Sequence, residues 1–169
     1  MKRIVISTLL AFLGCILYAS PTDIVCGPWI SDISETSFTV NWITEGPTLS
    51  WVEAGPDEGK VFYASKKKKY FHTVAGKRMT GTKHSVKVTG LESGKRYIYR
   101  LCGKSVVDES SAYRMKYGAQ KADKKNYSVK TLDHKAPECR FAIVSDIHER
   151  DDDFKSLIRG LEAEDLDFF

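Results

Sequence analysis

The chain has 169 residues, 42% hydrophobic and 28% charged, with a formal net charge of +4, which suits a soluble globular protein with room for one core. The charge is unevenly laid out: thirteen Lys or Arg against a single acid, Glu92, lie between Lys60 and Lys104, and nine acids against three bases lie between Asp146 and Phe169. A basic stretch of this kind attracts polyanions or phosphorylated substrates, but no zinc-finger or helix-turn-helix pattern accompanies it, so specific nucleic-acid recognition is not expected.

At the start, Lys2 and Arg3 precede an apolar run from Ile4 to Tyr18, and the small residues Ala19 and Ser20 follow. This is the layout of a secretory signal peptide over residues 1–19, with cleavage after Ala19 because Pro21 disfavours a cut after Ser20. The run is short of the about 20 residues that a transmembrane helix needs. Two alternatives keep the chain at a membrane: an uncleaved anchor, or lipid attachment at Cys15 in the loosely lipobox-like Phe12-Leu13-Gly14-Cys15. The second fits less well, since Ile16 to Tyr18 continue the apolar run. The expected location is therefore periplasmic or secreted, where disulfides are permitted. Cys26, Cys102 and Cys139 remain after cleavage, so at most one internal bridge forms and at least one thiol is free or externally paired. None is spaced like a zinc knuckle or a redox pair, and they read as buried or incidental thiols.

From Cys26 to Leu132 short strand-like runs alternate with turns. Ser37–Trp42 sets Phe38, Val40 and Trp42 against Thr39 and Asn41, the period of a half-buried strand. Leu49–Ala54 follows the Gly46-Pro47 break, and Val61–Ala64 follows the turn at Asp57–Gly59. Tyr70–Ala75, His84–Val88 and Tyr97–Leu101 continue the series, which predicts an antiparallel sandwich. The lysines of Lys66–Tyr70 suit a solvated hairpin edge, where they discourage strand-to-strand aggregation. Leu91–Leu101, LESGKRYIYRL, has the form of a tyrosine corner, with Tyr97 bonding back to the turn that begins at Leu91. That is an architectural role. Ser105–Lys125 reads as an inserted hairpin or long loop with a short strand at Tyr113–Tyr117, and Tyr127–Leu132 as the last strand of a domain over residues 20–132.

Beyond a linker over residues 133–139 the pattern changes. Phe141–Val144 is continuously apolar, as in a strand covered on both faces. In Asp152–Glu164, Phe154, Leu157, Ile158 and Leu161 fall on one helical face, with Asp151 placed to cap the helix and Asp152 and Asp153 suited to its dipole. Leu166–Phe169 begins another strand. Residues 140–169 thus predict a β-α-β opening of an α/β domain, too short to bury itself, and point to the front part of a longer polypeptide.

Asp146 and His148 sit just past the first of these strands, where open α/β sheets place ligands. Residues two apart in extended chain project to one side, so a carboxylate and an imidazole converge on one cation, a pairing that suits Zn, Mn or Fe better than Ca. The pair alone cannot hold a catalytic metal, which needs three or more protein ligands. Structural alternatives stay open: His148 as a capping or core histidine, Asp146 as a turn residue, and Glu149 and Asp151–Asp153 as solvated helix-start acids.

RFAIVSDIHE, Arg140–Glu149, resembles the first motif of the calcineurin-like metallophosphoesterases. TVNWITEGPTLSWVEAG, Thr39–Gly55, and HSVKVTGLESGKRYIYRL, His84–Leu101, resemble the fibronectin-type-III-like N-terminal domain of purple acid phosphatases. The resemblance implies a mainly β fold, a fibronectin-III or immunoglobulin-like sandwich followed by the incomplete start of an α/β metallophosphoesterase domain. It implies that Asp146 and His148 bind metal, with two ions of Fe, Zn or Mn in a complete site of which this chain supplies part. It further implies hydrolysis of phosphate esters, in small molecules or polymers, by a metal-activated hydroxide. Two departures stand out. His148 gives D-x-H where purple acid phosphatases carry D-x-G, and the later G-D, G-N-H and G-H-x-H motifs are absent from the 169 residues. No catalytic residue is expected within the chain, and the chain alone is expected to be inactive. The competing reading is an exported fibronectin-like binding module with a vestigial catalytic tail; a basic sandwich that binds polyanions is a third.

Overall fold

The computed structural model describes residues 19–64, 66–108, 110, 115–145, 151–162 and 166–167. The path begins with β1 (Ile24–Ser31), which pairs antiparallel with the first part of β2 (Ser37–Pro56). Within β2 the alternating residues Phe38, Val40 and Trp42 are buried to 2% exposure or less. Each such side chain removed from water contributes about 1.5–3 kcal/mol.

The Gly46-Pro47 break predicted to end a strand instead bends one. Thr39–Thr44 pairs with β1 and Ser37–Ile43 with β6 (Thr80–Thr89), which also reaches Thr48 and Leu49, whereas Thr48–Pro56 pairs with β7 (Arg96–Asp108) and, at Trp51–Ala54, with β3 (Lys68–Phe71). One strand therefore serves both layers of an antiparallel sandwich. The β6 ladder shifts register between Ile43 and Thr48, as expected where a strand changes sheets. The second layer is completed by β8 (Lys116–Ala122) and β9 (Tyr127–Lys130), both on β7. A small hairpin, β4 (Thr73–Val74) with β5 (Lys77–Arg78), turns through Ala75 and Gly76, both at positive φ.

The core lies between the layers: Phe38, Val40, Trp42, Val86 and Val88 from one, and Val52, Ala54, Tyr97, Tyr99 and Leu101 from the other. Phe38 meets Tyr99 across the interface at 5.8 Å between ring centroids. At the corner, the Tyr97 hydroxyl accepts a hydrogen bond from the Glu92 N–H at 2.8 Å, and Leu91 is buried beside it.

Four expectations are corrected or bounded. Val61–Ala64 is no strand but a single 3₁₀ turn, Phe62–Ala64, because the Ala64 N–H bonds locally to the Val61 carbonyl at 2.8 Å and only Phe62 inserts. Phe141–Val144 is not a covered strand: Phe141 forms an isolated bridge and Ile143 is 83% exposed. The physical reason is the want of neighbours, since a doubly covered strand needs a sheet and helices. Leu166 and Asp167 are likewise not in a strand. The predicted strand at Tyr113–Tyr117 begins only at Lys116, its start lying outside the described residues. The helix α1 (Asp151–Glu162) forms as the 3.6-residue period predicts, with Asp151, the expected cap, as its first residue.

Candidate functional site

The predicted metal ligands, Asp146 and His148, lie outside the described residues, as does the signal segment up to residue 18. Their flanks are described. Thr131, at 1% exposure, ties the end of β9 to the corner: its hydroxyl donates to the Glu92 carbonyl at 2.7 Å and accepts from the Lys95 N–H at 3.1 Å. The linker continues this attachment, for the Ser93 hydroxyl meets the His134 N–H at 3.0 Å and its Nδ1 at 2.7 Å. The chain thus leaves the sandwich at the corner that holds Leu91 and Tyr97. Further on, the Asp167 N–H donates to the Arg140 carbonyl at 2.8 Å and the Arg140 N–H donates to the Asp167 carboxylate at 2.9 Å. These bonds bring the segment before the D-x-H together with the one after α1. Desolvation and then the Asp167 carboxylate raise the pKa of the nearby Cys139 thiol. Among the described residues no group of three or more His, Cys, Asp or Glu could hold a metal ion.

The sandwich carries two polar clusters that period-2 reasoning passed over. Glu53, 4% exposed, faces away from the core between Trp51 and Gly55. Tyr63 donates to one carboxylate oxygen at 2.6 Å; Trp51 Nε1 donates to the other at 3.2 Å, with Lys69 Nζ at 3.3 Å from it. Burial opposes the charge, but these hydrogen bonds outweigh it and hold the carboxyl below its ordinary value. On the same face Cys102 is buried, and desolvation with the Glu53 charge pushes its thiol up to about 12. Such a thiol stays protonated and is a poor nucleophile. The signal for this cluster was an acid inside a strand whose two neighbours are apolar. Cys26 and Cys139 are exposed, and all three described cysteines are free.

At the β2 bend, His84 stacks on Trp42 at 4.9 Å and sets Nε2 2.9 Å from Thr48 Oγ1 and 3.1 Å from Thr44 Oγ1. Desolvation lowers its pKa to about 4, so the imidazole is neutral and shares hydrogen bonds with the two threonine hydroxyls. Nearby, a cleft of about 690 Å³ opens between β1 and the β7–β9 side, with Ile24, Trp42, Leu101 and Tyr127 in its walls and Lys124 and Lys125 at its rim. The arm before β1 crosses here, held by the Gly46 N–H on the Pro21 carbonyl at 3.0 Å and the Glu45 N–H on the Asp23 carbonyl at 2.9 Å. Neither cluster joins a nucleophile to a base in the manner of a catalytic site; both stabilise the sandwich.

The family model described as "Purple acid Phosphatase, N-terminal domain" matches residues 28–131. No curated protein matches the chain. Among solved structures the chain is similar to a fibronectin type III domain derived from human KIAA0970 protein, at 14% identity over 75% of this chain and 87% of that one, with a TM-score of 0.41. It is also similar to the sensor domain of the anti-sigma factor RsgI4 in Pseudobacteroides cellulosolvens, at 13% identity over 68% of this chain and 97% of that one, with a TM-score of 0.41.

Proposed function

The chain belongs to the purple acid phosphatase N-terminal domain family, and from that membership we propose that it is the N-terminal part of an exported, metal-dependent phosphoesterase. The sandwich carries the start of the catalytic domain, and Asp146 and His148 are its first metal ligands. One observation carries the reading beyond the sandwich: the segment around the D-x-H bears apolar surface suited to a larger body. Phe141, Ile143, Phe154 and Leu157 are all exposed, on a stretch whose helix is amphipathic and whose two ends meet at Arg140 and Asp167.

The donors fit the implied metal in kind, one carboxylate and one imidazole. They fall short in number, since a catalytic centre takes three or more protein ligands, and among the described residues no group of three or more His, Cys, Asp or Glu could hold a metal ion. Asp146 and His148 would hold one ion; the bound metal pair would supply a hydroxide nucleophile and neutralise charge on the phosphoryl oxygens. The remaining ligands belong to polypeptide outside these 169 residues, and the substrates are phosphate esters.

The test has two parts. The purified 169-residue chain is expected to show no metal-dependent hydrolysis of an aryl phosphate; measurable turnover would contradict the division of ligands. The protein read through the Phe169 codon is expected to hydrolyse that ester, and Asp146→Asn or His148→Ala to reduce kcat at least about a hundredfold by the loss of metal charge stabilisation. Full activity in both variants, or a reading frame that supplies no further ligands, overturns the proposal.

A further inference from the structure

We propose that the outer face of the β1–β2–β6 layer binds a carboxylated polysaccharide, with Trp29 as the stacking platform and Lys83 and Lys87 as the carboxylate contacts. This inference stands apart from the phosphoesterase reading. The register sets out the face in three rows: Cys26, Ile43 and Lys83; Trp29, Asn41 and Ser85; Ser31, Thr39 and Lys87. These alternate with Ile30, Val40, Trp42, Val86 and Val88, which face the core, so the rows point away from it, with Thr39 itself covered at 5% exposure and Lys83, Ser85 and Lys87 exposed. The protein has three tryptophans. Trp42 and Trp51 are nearly wholly buried, whereas Trp29 is 46% exposed in the middle row of this sheet.

Its indole is also seated. A Cβ added to Gly27, which has φ +94°, would come 3.0 Å from Trp29 Cε3 and 3.0 Å from the Asn41 carbonyl oxygen. The absence of a side chain there lets the ring lie against the β1 backbone. A ring held this way presents a rigid apolar plate at little entropic cost. Beside it stand hydroxyl and amide groups: Asn41 Nδ2 donates to Ser31 Oγ at 2.9 Å, leaving its carbonyl oxygen as an acceptor, and Ser85 is exposed. Lys83 and Lys87 are exposed and form no ion pair with the described residues. Four residues apart along one strand, they stand about 13 Å from each other.

A pyranose ring has an apolar C–H face edged by hydroxyls, which matches a single plate flanked by hydrogen-bonding groups. A polymer with repeated carboxylates matches two separated ammonium groups that form no ion pair with the described residues. Binding to single-stranded nucleic acid uses successive aromatic platforms along a basic groove; among the described residues of these rows there is one ring, Trp29, so the polysaccharide is favoured.

The experiment is titration of the 169-residue chain with polygalacturonate oligosaccharides, a neutral β-glucan oligosaccharide and a single-stranded DNA oligonucleotide, read by tryptophan fluorescence and by calorimetry. Polygalacturonate is expected to bind at least tenfold tighter than the other two and to weaken as salt rises. Trp29→Ala should weaken it at least tenfold, and the double change Lys83→Glu, Lys87→Glu should abolish it. The double lysine change should leave thermal unfolding as in the wild-type chain, since both side chains are exposed. Trp29→Ala removes a half-buried indole and should lower the melting temperature while keeping a cooperative transition, so its binding is read well below that transition. Trp29→Phe, which keeps an aromatic plate, should retain binding and lose the ligand-induced change in emission. Absence of binding, equal binding of the neutral glucan, tighter binding of DNA, or indifference to Trp29→Ala would each overturn the proposal.

Discussion

At the residue scale, the buried ionisable groups make the sandwich acid-sensitive, and both main contributors act in the same direction. His84 has its pKa lowered from 6.5 to about 4 by burial, so between those values the unfolded chain takes up a proton that the folded chain refuses. Stability should fall as pH drops from 6.5 toward 4, by about 1.4 kcal/mol per unit. Glu53 is held below its ordinary value of 4.5 by its hydrogen bonds, and its contribution, present above 4.5, is lost as pH falls through the folded value. Urea unfolding at pH 7 and pH 5 should therefore differ by about 2 kcal/mol in the wild-type chain. In His84→Gln most of that difference should vanish. An undiminished difference in the variant would assign the acid sensitivity to other groups.

At the element scale, two devices hold the sandwich closed. The first is β2, a single 20-residue strand that passes between layers at Glu45–Pro47, so the two sheets share a covalent connection without an intervening loop. The second is the corner, where Tyr97 receives the Glu92 N–H and Thr131 bridges Glu92 and Lys95. Thr131→Val keeps the β-branched shape and removes the hydroxyl's hydrogen bonds to Glu92 and Lys95 at a position 1% exposed. It should cost about 1–3 kcal/mol by leaving buried partners unsatisfied. Tyr97→Phe removes one bond and should cost about 1 kcal/mol. Denaturant midpoints with unchanged slopes would measure both; a neutral Thr131→Val would deny the latch its role.

At the scale of the whole molecule, the sandwich and the segment that follows differ in how they are held. The core cluster is drawn wholly from residues 38–101, with Ile24, Ile30, Ile33, Tyr70, Tyr127 and Val129 packed on it. Among the described residues none after Thr131 joins that cluster, and Phe141, Ile143, Phe154 and Leu157 are exposed. A fragment ending at Leu132 should accordingly keep its melting temperature within about 2 °C of the 169-residue chain, less than a change of 1 kcal/mol would produce. A fall of about ten degrees would show that the later segment shares in the cooperative unit.

The local patterns were legible because they depend on neighbours in sequence. Phe38, Val40 and Trp42 alternate whatever lies opposite them, and the spacing from Leu91 to Tyr97 encodes its own turn. The helix at Asp151–Glu162 follows from its apolar period and acidic first turn. Pairing across the fold was not legible. The sequence alone cannot say that Gly46-Pro47 bends a strand between sheets, since that depends on β6 and β7 offering partners on either side. It cannot say that Glu53 is buried in a donor cage, because Tyr63 and Lys69 reach it from separate segments. Nor could it separate Trp29, lying open over Gly27, from the buried Trp42 and Trp51, for all three sit in strand-like surroundings. Composition and period determined that this chain builds a β-sandwich with a helix after it. Only the tertiary structure decided which polar groups the sandwich encloses and which face it leaves open, because burial is set by what the rest of the chain places on top.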